Sequence, residues 1–211
     1  MTPSISAPPW ERVDWQSFAK LGETAAFERS KLYYRRGWMR AEMSPVGRAH
    51  AEDNGLIDHI VTAWFFSRGV RFRTLVNATF QKTGQLEAQP DLAYYVGETV
   101  NLPARSNRPI DLETVLPPAL VIEVAATTLE DDLTSKRDLY AEIGVGEYWV
   151  VDTQAVQVFV FGPVEGNSGL QPIASSRILT GLDSALLGEA LRQGQAAGDA
   201  AAMQYIVEHS R

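Results

Sequence analysis

Three stretches of the chain carry residue types that could do hydrolytic chemistry together. They are Gln89-Pro90-Asp91, the run Ala119 to Ala125 (A-L-V-I-E-V-A), and Asp131 to Tyr140 (D-D-L-T-S-K-R-D-L-Y). The middle one is rich in Val and Ile and follows Pro117-Pro118, the pattern of a strand buried on both faces. Glu123 stands inside it, where an ionised carboxylate is costly unless a cation or metal compensates it. Asp91 opens a second strand-like run to Val96. The third stretch reads as a helix from Asp131 to Ile143 with Leu133, Leu139, Tyr140 and Ile143 on one apolar stripe. Asp132 and Lys136 fall within that stripe and so face the sheet that carries Glu123. Two carboxylates and a lysine at the ends of neighbouring strands can hold Mg²⁺ or Mn²⁺, acidify a bound water and offset charge on a phosphate. Plainer readings stay open: a turn residue at Asp91, a Glu123–Lys136 salt bridge, and an ordinary i,i+4 pair at Asp132 and Lys136.

Taken with Met43 to His50 (M-S-P-V-G-R-A-H), Tyr140 and Gly144 to Asp152 (G-V-G-E-Y-W-V-V-D), these pieces resemble the Uma-type endonuclease family of the PD-(D/E)xK superfamily, abundant in cyanobacteria. The likeness spans roughly residues 30 to 185. It implies a metal-dependent endonuclease acting on nucleic acid, DNA first, with Asp91, Glu123 and the Val124 backbone carbonyl on the metal and Lys136 as catalytic lysine. One departure stands out: Ala125 occupies the place where the superfamily pattern has its lysine, and the resemblance moves that role onto the following helix. Secondary places at the site go to His50, Gln89, Asp132 and Tyr140. A catalytically inactive nuclease-fold module is the alternative.

The surrounding elements must position these groups. Trp10 to Leu21 reads as a short helix, with Leu32 to Tyr34 and Trp38 to Met43 as a hairpin turning near Arg36-Gly37. A helix runs from Arg48 to Ser67, with Ile57, Ile60, Val61 and Trp64 on one stripe and His50 and Asp53 projecting the same way. Glu42 and Glu52 read as surface residues. Phe72 to Val76, Ala78 to Gln81, Glu147 to Asp152, Val156 to Phe161 and Gln171 to Ala174 read as strands, and Ser184 to Arg192 and Ala196 to Glu208 as terminal helices. Gly97 to Pro118 reads as a long loop, a candidate lid. The expected fold is α/β, a mixed central β-sheet flanked by helices, restriction-endonuclease-like, with an N-terminal helix/hairpin extension. Residues 1–28 form a tail and short helix, 29–195 the main domain, and 196–211 a helix packed on it.

Composition narrows the function classes. Cysteine is absent, which excludes disulfides and thiolate metal sites and suits a cytoplasmic protein. No apolar run approaches a membrane span. The net charge of −7 speaks against a generic nucleic-acid binder. Its distribution is uneven: residues 1–82 hold 12 Lys and Arg against 8 Asp and Glu, and residues 83–211 hold 7 against 18. Arg29, Lys31, Arg35, Arg36, Arg40 and Arg48 read either as a solvated hairpin face or as a phosphate-tracking edge. Apolar residues near Trp38, Trp64 and Phe65 suggest a homodimer.

Overall fold

The computed structural model describes residues 9–28, 30–43, 47–98, 102–125 and 127–210. The tail expected at the N-terminus, Arg29, and Ser44-Pro45 lie mostly or wholly outside them. Among these residues two six-stranded sheets make the frame. The first has the order β1 (Glu11–Arg12), β3 (Trp38–Met43), β2 (Ser30–Arg35), β6 (Leu86–Ala88), β5 (Phe80–Lys82), β8 (Ile110–Asp111). The second runs β12 (Leu170–Pro172), β11 (Gln157–Pro163), β10 (Glu147–Asp152), β9 (Leu120–Ala125), β7 (Leu92–Val96), β4 (Phe72–Val76). Within it β9 and β10 pair in parallel, joined by the helical segment that follows β9, whereas its other pairs are antiparallel. The fold is thus α/β with mixed sheets flanked by helices.

Strand alternation sets the layers. Leu120, Ile122 and Val124 of β9 face one way, into a core with α2 (Arg48–Ser67), α5 (Ser184–Ala197) and α6 (Asp199–His209). Val121 and Ala125 face the other way, against α4 (Arg137–Ile143) and the inner face of the first sheet. Burial on both sides explains the unbroken apolar run. The outer face of the first sheet is covered by α1 (Trp15–Gly22), whose Phe18 packs on Leu32, Tyr34 and Met39.

The β2–β3 hairpin turns on Arg36 and Gly37, both at positive φ, the two-residue turn that matches strand twist. Instead of standing as an extension, this hairpin is joined through β6 and β5 into the first sheet. Helix α1 begins at Trp15 rather than Trp10 because Asp14 caps it, its side chain accepting from the Ser17 amide at 3.0 Å. The expected lid is tethered, since β8 pairs in parallel with β5 and the Tyr95 hydroxyl donates to the Leu116 carbonyl. Trp64 and Phe65 are core residues. Of the apolar surface behind the dimer expectation, Trp38 is 42 % exposed and Phe66, beside the buried Trp64 and Phe65, 80 %.

Candidate active site

Sheet register brings Asp91 and Glu123 together. Leu92 stands opposite Ile122 in the β7–β9 pair, so the next position sets Asp91 beside Glu123 on one face. Both line a cleft of about 810 Å³ with His50, Gln89, Thr128 and Lys136. No described residue from 97 to 118 lines it.

The segment after β9 is not one regular helix. A short α3 (Leu129–Asp131) passes into a π turn at Asp132–Lys136 and then into α4, a widening common at functional sites. The turn buries Asp132 and Lys136, each 1 % exposed. Thr128 precedes it, but its hydroxyl serves the Asp132 carboxylate at 2.5 Å rather than the helix backbone. Lys136 Nζ lies 2.8 Å from Asp132, 2.6 Å from Glu42 and 3.8 Å from Glu123, and 4.4 Å above the Tyr33 ring. Ala125 packs in the apolar layer between the sheets. A lysine at that position would enter hydrophobic packing, and the ammonium comes from the π turn.

The hairpin supplies groups that sequence reasoning missed. Lys31 stands opposite Glu42, and Tyr33 opposite Arg40, so all four share the face turned to the site. Lys31 Nζ pairs with Asp91 Oδ1. Glu42, expected at the surface, bonds Lys136, because the second sheet lies over it. Arg40 is buried and joins Glu42 at 3.3 Å to Asp131 at 3.2 Å. Trp10 Nε1 donates to Asp131 at 2.6 Å. The signal available was the two-residue turn, which dictates the register and thereby pairs Lys31 with Glu42.

The remaining candidates separate by contact. His50 Nε2 lies 3.4 Å from Asp91 Oδ1. The Tyr140 hydroxyl donates to Glu123 Oε1 at 2.6 Å, and the Tyr33 hydroxyl to the same oxygen at 3.2 Å. Gln89 lines the cleft, but its amide donates to the Asn77 carbonyl at 3.0 Å. The Val124 amide donates to Asp91 Oδ2 at 2.8 Å; an extended residue turns its N–H and C=O to the same edge, so the Val124 carbonyl shares that edge. Asp53 turns away, accepting from Gln195 at 3.1 Å. Glu147 is buried but holds the chain at Ser176 to Ile178 through hydrogen bonds of 2.6–3.3 Å. The basic cluster is neutralised within the fold: Arg35 and Arg36 pair with Glu142, and Arg48 with Glu52. Among its described members none remains as a bare phosphate-tracking edge.

Electrostatics test whether a cation fits. Glu42, Asp91, Glu123, Asp131 and Asp132 meet Lys31, Arg40 and Lys136, leaving two negative charges if all are ionised. Burial, reinforced by Asp91 and only partly offset by Lys136, pushes Glu123 up to about 8. Burial would also raise Asp91, but the His50 hydrogen bond and the Lys31 charge hold its carboxyl well below the usual range. Burial opposes the Lys136 ammonium, and the carboxylates of Glu123, Asp132 and Glu42 outweigh it and raise its pKa. Among the described residues no hydrogen bond reaches Glu123 Oε2. Carboxylates that outnumber the cations beside them, hard oxygen donors and an unused carboxylate oxygen suit a divalent ion such as Mg²⁺ or Mn²⁺, whose charge would ionise Glu123. The group Glu42, Asp131 and Asp132 could also gather on a metal, but Lys136 and Arg40 already fill that role.

A family model described as "Uma2: Putative restriction endonuclease" matches residues 15–197. Among solved structures, "a putative nuclease belonging to DUF820 from Anabaena variabilis ATCC 29413" is similar, with a TM-score of 0.54 at 16% identity. The match covers 92% of this chain and 99% of that one. At that identity the likeness speaks for the restriction-endonuclease-like fold. No curated protein matches the sequence. Among the described residues no helix is long and apolar enough to cross a membrane.

Proposed function

Because the chain belongs to the Uma2 family of restriction-endonuclease-like proteins, we propose that it is a divalent-metal-dependent nuclease that hydrolyses phosphodiester bonds in DNA. The observation that carries this reading is the pair Asp91 and Glu123, side by side in one cleft with the Lys136 ammonium 3.8 Å from Glu123. Asp91, Glu123 and the Val124 carbonyl would hold Mg²⁺ or Mn²⁺, which when bound acidifies a water and polarises a phosphoryl oxygen. Tyr33 and Tyr140 orient Glu123 through its Oε1, leaving Oε2 directed to other partners. Lys136, kept protonated by its three carboxylates, offers positive charge beside the reacting phosphate. Asp132 and Glu42 hold that ammonium in place, and His50 steadies Asp91. Lys31 occupies Asp91 as an internal cation, so loading the ion requires this ion pair to open.

The test is nicking of supercoiled plasmid in Mg²⁺, in Mn²⁺ and in EDTA. Cleavage is expected with either ion only, and Asp91→Asn and Glu123→Gln should be silent while keeping the wild-type circular dichroism. No cleavage under any condition, or equal cleavage by the variants, would overturn the proposal.

A further inference from the structure

The cleft continues past the carboxylates along α2. Beyond His50 its lining includes Asn54, Gly55 and Asp58 from the helix, together with Val76 and Leu92. Asn54 follows His50 by one turn and Asp58 follows Asn54 by another, so the three form one stripe. Gly55 sits in the interior of a 20-residue helix, where glycine is among the poorest residues. Nothing in the fold asks for it. Its φ is not in the left-handed region, and a Cβ built there would meet no atom within 4 Å. Another glycine inside a helix shows the contrast: at Gly194 a Cβ would lie 2.3 Å from Leu56. What a longer side chain at position 55 would occupy is the cleft itself.

A second observation lies next to it. Asn54 stands in the cleft wall, and its Oδ1 has no hydrogen-bond partner among the described residues, a costly arrangement that turning the amide toward a ligand's donor would relieve. Asp58 adds a carboxylate whose Oδ1 accepts from the Tyr94 hydroxyl at 2.8 Å. This end of the cleft is therefore anionic and rich in acceptors, which repels phosphate and suits N–H donors. Val76, 55 % exposed, offers apolar surface to a flat ring.

We propose that Asn54 and Gly55 form a pocket for a nucleobase next to the scissile phosphate, with Gly55 leaving its room and Asn54 accepting from its amino group. The pocket rests on the phosphodiester reading and specifies what that cleft takes. It favours bases with an exocyclic amino group over thymine, whose exocyclic groups only accept and whose one donor, N3–H, is set back between two carbonyl oxygens that the acceptor-rich wall repels. The stripe begins at His50, which contacts Asp91, so the base belongs to a nucleotide flanking the reacting bond.

Fluorescence anisotropy with labelled single-stranded oligonucleotides of deoxyadenosine, deoxycytidine or deoxythymidine, in Ca²⁺, tests it. The wild-type chain should bind the first two more tightly than the third. Gly55→Leu, which replaces glycine with a strong helix former, should melt no lower than wild type yet bind roughly tenfold or more weakly. Asn54→Ala should remain folded and lose the preference among the bases. Unchanged binding in Gly55→Leu, or an unchanged preference in Asn54→Ala, overturns the pocket alone. A wild-type chain that binds none of the oligonucleotides overturns the pocket, and the phosphodiester reading falls with it only if supercoiled plasmid is also left uncut in Mg²⁺ and in Mn²⁺.

Discussion

Lys136 Nζ lies 2.6 Å from Glu42, closer than to Glu123, which is 3.8 Å away. The lysine therefore joins the hairpin of the first sheet to the helical crossover of the second, besides standing in the cleft. Its ammonium is part of the scaffold that positions the carboxylates, and its removal touches both stability and chemistry.

Lys136→Met should destabilise the protein by on the order of 3–5 kcal/mol, because Glu42, Asp132 and Glu123 would lose their common cation inside the fold. Urea unfolding of both proteins checks this. A loss below ~1 kcal/mol would mean that protonation of the carboxylates replaces the ammonium without strain.

Glu123 gives a pH signature. Its folded pKa of about 8 stands above the ordinary glutamate value of ~4.3, so between these limits the native state binds a proton that the unfolded chain releases. Stability from this group is therefore greatest at the acid end of the window and falls as pH rises toward 8. Glu123→Gln cannot titrate. In EDTA it should melt at or above wild type near neutrality, and its advantage should grow by at least about 1 kcal/mol from pH 5 to pH 8. Parallel pH profiles for the two proteins would show that Glu123 stays ionised throughout.

Metal binding should compete with Lys31. Saturating Mg²⁺ or Mn²⁺ at ~100 times the dissociation constant should stabilise wild type by ~2.7 kcal/mol, whereas Asp91→Asn should gain little. Lys31→Met leaves Asp91 without its ion pair, so it should melt below wild type in EDTA and gain more from the metal. Equal metal increments in wild type and Lys31→Met would show that the ion binds without opening the Lys31–Asp91 contact.

Glu147 is expected to matter for folding alone. Its carboxylate accepts from Ser176, Arg177, Ile178 and Trp149, so Glu147→Gln should cost about 1–3 kcal/mol while the metal-induced rise in Tm stays intact. Loss of the metal response in a folded Glu147→Gln protein would bring that residue into the site.

Much of the frame was legible because it follows from local periodicity. Helix α2 has the expected limits of Arg48 and Ser67, and β10 those of Glu147 and Asp152. Strand β9 differs from its expected run by one residue at its start. Short strands are not legible: β6 and β8 have three and two residues, which carry no usable alternation and are held by neighbours distant in sequence. The π turn was hidden too, since its residues fit an α-helical stripe equally well.

By itself the sequence determined which residues had to be buried. A carboxylate in an apolar strand, and a lysine and aspartate within an apolar stripe, could only face the interior, whatever that interior proved to be. Which groups met them there was decided by tertiary structure alone. Alternation along β2 and β3 puts Lys31, Tyr33, Arg40 and Glu42 on one face, but the same alternation serves a solvated hairpin. Only the docking of the first sheet on the second turned that face inward, and with it Lys31 onto Asp91, Tyr33 onto Glu123 and Glu42 onto Lys136. The reason is one of range: side-chain direction is set by the residue's own strand, whereas the partner comes from chain 60 to 94 positions away.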